Sequence, residues 1–141
     1  MHIYIYTNFV DDRLKRYIEE VGQDLVLDDF NVKDQQMRLP SRKHYWVARL
    51  IEAKVEKNRL IKKKKTLKKE IVKQVIRDSP VKITNSTAET AAENHNSLDI
   101  INNKIYGLNT VIEYLEKVEK IMSQMGYEIK NIVEIQKMEQ L

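Results

Sequence analysis

The sequence predicts an all-α protein: an elongated, coiled-coil-like helical hairpin that ends in a short C-terminal oligomerisation helix. Three observations carry this expectation. Only three Gly and two Pro occur in 141 residues, too few breaks for an all-β fold, which turns every eight to twelve residues. Aromatic residues make up 7% and charged residues 33% of the chain, a balance that favours long, solvated helices over a compact barrel. Two long segments carry apolar residues at alternating three- and four-residue steps, the pattern of a helical seam.

In chain order, Ile3-Tyr4-Ile5-Tyr6 reads as a short strand, because β-branched and aromatic residues suit a pleated surface. With Asp11 or Asp12 as N-cap, Leu14, Tyr17, Ile18 and Val21 then recur at helical spacing until Gly22 interrupts them. Residues 23–40 form a connector without a sustained period, closed by Pro40, and Ser41 caps the next helix. From Ser41 to Arg77 nothing breaks the pattern, which gives a rod of roughly 55 Å. Its seam runs through Trp46, Leu50, Ala53, Leu60, Leu67 and Ile71, with Lys57, Lys64 and Gln74 at the positions left over. Asp78-Ser79-Pro80 ends the rod, and residues 81–97 read as a polar, mobile connector. A second long helix carries Leu98, Ile101, Ile105, Leu108, Ile112 and Leu115, joined by Met122, up to a stop at Gly126. The last helix presents Ile129, Ile132, Val133, Ile135 and Met138, an apolar face expected to be covered by another protomer. The expected organisation is thus 1–80 with the basic rod, 81–97 as linker, and 98–141 with the second rod and the oligomerisation helix.

Charge is distributed very unevenly. Residues 42–82 hold fifteen bases and four acids, net +11, whereas 1–41 (five bases, eight acids) and 83–141 (five bases, nine acids) carry −3 and −4. The density peaks between Lys54 and Lys69, where Lys54, Lys57, Arg59, Lys62, Lys63, Lys64, Lys65, Lys68 and Lys69 face only Glu56. Bases this close along a helix repel one another, so the run reads as a polyanion-binding surface; the alternative is a coiled-coil scaffold whose lysines are merely solvated. Lys contacts phosphate as a point charge, whereas base readout favours the planar fork of Arg, so binding with little sequence preference is expected. Arg42, Lys43 and Tyr45 precede the run and extend the candidate surface, since bases of a single strand stack on aromatic rings. Trp46 opens the seam and reads as a core anchor, while Tyr45 fits either role. A membrane surface would call for more exposed apolar residues than the two Leu, one Ile and one Val of the run.

Other chemistries find no support. His2, His44 and His95 lie in three different segments and there is no Cys, so neither a metal site nor a disulfide framework is expected. Lys65-Thr66 has the ending of a phosphate loop, but no Gly occurs between Asn31 and Asp78, and the backbone cannot cradle a phosphate without one. No catalytic residues, cofactor or metal are therefore expected. No apolar stretch approaches the ~20 residues of a membrane span, and acids stand at the start where a signal peptide has bases. An intracellular protein is expected, and the sequon Asn85-Ser86-Thr87 reads as a chance match.

Several elements together resemble the UvsY-type recombination mediators of tailed phages: the amphipathic first helix, Asp24-Leu25-Val26-Leu27-Asp28, the Lys43-to-Trp46 lead-in, the Lys-rich helix, and Gly126-Tyr127-Glu128-Ile129-Lys130-Asn131-Ile132. The resemblance covers roughly 12–77 and 98–137. It implies a non-enzymatic protein of the infected host's cytoplasm that forms ring-like homo-oligomers and binds single-stranded DNA. Its implied partners are a RecA-like recombinase and the single-strand-binding protein that this recombinase displaces. The family's L-K-x-R motif has its nearest match in Leu67-Lys68-Lys69-Glu70, where an acid replaces the final base.

Overall fold

The computed structural model describes residues 2–140, with side chains described from residue 12 onward. Its elements are α1 (His2–Asp24), α2 (Val32–Asp78), α3 (Asn85–Glu93) and α4 (Asp99–Glu139), with a 3-10 turn at Asn96–Leu98. The all-α class is as expected, with no strand among the described residues. The chain divides into two compact units, one made of Asp12–Ala53 and Thr110–Leu141, the other of Met1–Asp11 and Lys54–Asn109.

In the first unit the seam residues Trp46, Leu50 and Ala53 are buried, as are Val111, Ile112, Leu115, Val118 and Met122 of α4. At one end Val32, Met125 and Ile129 form a cluster onto which Leu25, Leu27, Leu39, Ile132 and Val133 pack. In the second unit Ile71, Ala92, Leu98 and Ile101 form the core, flanked by Leu60, Leu67 and Ile105. The seams legible in the sequence are therefore the faces that pack.

The element boundaries differ from the sequence reading in five places. Residues 3–6 belong to α1, not to a strand; β-propensity is a weak preference, and a lone strand has nothing to pair with. Gly22 does not stop this helix, which continues to Asp24, since the ~0.5–1 kcal/mol cost of a helical Gly is outweighed by burial of Tyr17 and Val21.

The second helix begins at Val32, well before Ser41, and contains Pro40. A turn built by side chains sets this start. The Asp28 carboxylate accepts the Phe30 and Asn31 backbone N–H at 2.8 and 2.9 Å, and Asn31 Oδ1 accepts the Asp28 N–H at 2.8 Å. Asn31 Nδ2 and Gln35 Nε2 both donate to the Val26 carbonyl. Pro40 deprives the Gln36 carbonyl of its helical donor, but both residues are exposed, so that carbonyl is not buried without a partner, and Val32 and Leu39 hold the turn to the core.

The fourth difference is α3, which lies within the stretch expected to be a mobile connector. Thr84 caps it by accepting the Thr87 N–H at 3.2 Å, and Ala88 and Ala92 are fully buried. Finally, α4 passes straight through Gly126, so there is no separate short C-terminal helix. Among the described residues no glycine adopts positive φ, and burial of Met122, Met125 and Ile129 on either side keeps the backbone helical.

Candidate nucleic-acid interface

In the second unit, Leu60, Leu67 and Ile71 turn one side of α2 toward Ala92, Leu98 and Ile101. That packing fixes the rotation of the helix, and the bases take up the rest of its circumference. Lys54, Arg59, Lys62, Lys63, Lys65 and Lys69 are exposed, while Lys57, Lys64 and Lys68 are half-buried. Lys57 and Lys64 sit at seam positions, where a long alkyl stem lies along apolar surface with its ammonium in water. Lys68 pairs with Glu93 of α3 at 3.3 Å. Among the described residues, Arg59, Lys62, Lys63, Lys65 and Lys69 have no ion-pair partner, so no ion pair among them offsets their mutual repulsion.

One feature of this surface escaped the sequence reading. Lys65, Lys69, Lys73 and Arg77 recur every fourth residue, the longest such row of bases in the chain. A window closed at Lys69 cuts the row in half, although the spacing alone marks one helix face.

The remaining candidates belong to the first unit. Arg42 Nε lies 3.5 Å from the Asp24 carboxylate, which also accepts the Trp46 Nε1–H at 2.9 Å. Trp46 is buried between the edges of Tyr17 and Tyr45, at ring-centroid distances of 5.5 and 4.9 Å, in the core role expected of it. Tyr45 donates its hydroxyl to Glu20 at 3.1 Å and carries the Arg49 guanidinium 4.4 Å over its ring. Side-chain hydrogen bonding to Tyr45, with the charge of Glu52 adding to it against a small opposing effect of burial, raises the Arg49 pKa above its already high ordinary value. Tyr45 is thus occupied within the protein, and Arg42 with it, while Lys43 stays half-exposed.

Of the five residues expected at an oligomer contact, Ile129 is buried and Ile132 and Val133 pack on Val32's cluster in the same chain. Only Ile135 and Met138, 55% and 71% exposed, leave the protomer uncovered. The apolar tail thus has its first cover within its own fold. Among the described residues no helix is long and apolar enough to cross a membrane, and no group of three or more His, Cys, Asp or Glu residues is gathered to hold a metal ion.

No curated protein matches the chain in sequence. The crystal structure of the bacteriophage T4 recombination mediator protein UvsY is similar in fold, with a TM-score of 0.77 at 15% identity, over 89% of this chain and 98% of that one. Residues 20–140 match the family described as recombination, repair and ssDNA binding protein UvsY. With all but the first nineteen residues and the last one inside that match, the chain belongs to the UvsY family.

Proposed function

We propose that this protein is a single-stranded-DNA-binding recombination mediator that loads a RecA-like recombinase onto DNA coated with single-strand-binding protein. The observation that carries the reading is the Lys54–Lys69 face of α2, nine bases against Glu56, mostly exposed, of which Arg59, Lys62, Lys63, Lys65 and Lys69 have no ion-pair partner among the described residues. Family membership supports the step from polyanion to recombination intermediate. The mechanism is wrapping and handover. Many phosphate contacts, each weak and exchangeable, hold a strand between two other proteins, and assembly into a homo-oligomeric ring multiplies them through effective concentration. The protein acts in the cytoplasm of the infected host cell, and the exposed end of α4, at Ile135 and Met138, meets the neighbouring protomer.

Salt titration of the wild-type protein on oligothymidylate and on duplex DNA tests the binding step. Each phosphate neutralised contributes about −0.7 to the log–log slope for single strands, so engagement of six to nine bases gives a slope of roughly −4 to −6. A slope shallower than about −1, or no binding at low salt, would refute the reading in favour of a scaffold with a solvated basic face.

A further inference from the structure

Lys65, Lys69 and Lys73 leave α2 in a row at roughly 6 Å per step. They line a groove of about 450 Å³ together with Lys68 and Val72 of α2 and Asn85 and Glu89 of α3. Five of the lining residues are charged, four Lys and one Glu. Lys68 is already engaged by Glu93, whereas the side chains of Lys65, Lys69 and Lys73 have no ion pair or hydrogen bond among the described residues.

We propose that this groove seats consecutive phosphates of one strand, with Lys65, Lys69 and Lys73 each taking a phosphodiester in turn. The proposal rests on the reading of the basic run as a single-stranded-DNA interface and makes it specific. The helical step is close to the separation of neighbouring phosphates in an extended strand, so one face of α2 sets the register. Arg77, in the last turn of α2, continues the same row beyond the groove. No aromatic residue lines it, so the bases are left outside and no sequence is read. Glu89, the one carboxylate lining the groove, opposes three unpaired ammonium groups and leaves it positive.

Lysine acetylation of the wild-type chain, free and saturated with a thirty-residue oligothymidylate, reads the contact directly. Lys65, Lys69 and Lys73 are expected to be protected, while the exposed Lys117 and Lys120 of α4 react as in the free protein. Lys73 lies outside the dense run; if it reacts equally with and without the oligonucleotide, the groove proposal is overturned even though the run may still bind. Equal protection by millimolar thymidine monophosphate would also overturn it, by making the groove a site for small phosphate compounds. Replacing Lys65, Lys69 and Lys73 by Ala should weaken binding about 100-fold at 0.1 M salt and flatten the slope by about 2. The same charge removed as Lys117, Lys120 and Lys130 on α4 should cost far less; equal losses would mean that net charge alone acts. Failure of the wild-type protein to bind single strands would instead remove the underlying reading.

Discussion

Replacing Lys62, Lys63, Lys64 and Lys65 by Ala is expected to abolish most single-strand affinity while leaving the fold in place. If each of the four bases neutralises one phosphate, the salt slope flattens by up to about 2.8, and affinity at 0.1 M salt falls by two to three orders of magnitude. The helix should tolerate the change, because Ala has the highest helix propensity and three of the four side chains are exposed. The loss should be alike on all sequences, since lysines on phosphates carry no base information. Unchanged affinity and slope, measured by fluorescence anisotropy across a salt series, would leave the lysines as solvated decoration.

Ending the chain at Gly126 is expected to unfold the first unit. The cut removes Ile129, Ile132 and Val133, which close the cluster around Val32 and Met125. Burial of one such side chain contributes about 1.5–3 kcal/mol, so the loss approaches the ~5–15 kcal/mol that holds a domain together. Circular dichroism should show lost helix and a thermal midpoint lower by more than 10 °C. The double variant Ile135→Asp with Met138→Asp tests assembly without that damage, because both side chains are exposed in the protomer. It should remain helical and sediment as a smaller species. A truncated chain that keeps its fold would contradict the packing described for α4, and a double variant of unchanged mass would place the protomer contact elsewhere.

Both long helices could be read from the sequence because their apolar residues repeat over many turns, and seam positions such as Trp46, Leu50, Leu108 and Leu115 are buried where the period put them. The ends were harder to read. Pro40 and Gly126 are local stop signals, and each is overridden by partners distant in sequence: Val32 and Leu39 on one side, Met125 and Ile129 on the other, meet in one cluster. The helix α3 left almost no hydrophobic trace, because its buried face is made of Ala88 and Ala92; Thr84 as an N-cap was its only local signal. The charge of the candidate site was fully legible, since it needs only composition. Its groove was not, because the groove exists only once α3 lies beside α2. Tyr45 shows the converse: an aromatic among bases suggested stacking, yet Glu20 and Arg49 engage it within the fold.

The central claim is that this chain helps a recombinase onto protected DNA, and the lag before ATP hydrolysis measures that most directly. Single-stranded DNA is first saturated with the cognate single-strand-binding protein, and the recombinase is then added with or without this protein at levels that saturate DNA binding. The account predicts a shorter lag in its presence and no such gain with the Lys62–Lys65 alanine variant. A lag of the same length with and without the wild-type protein would contradict it.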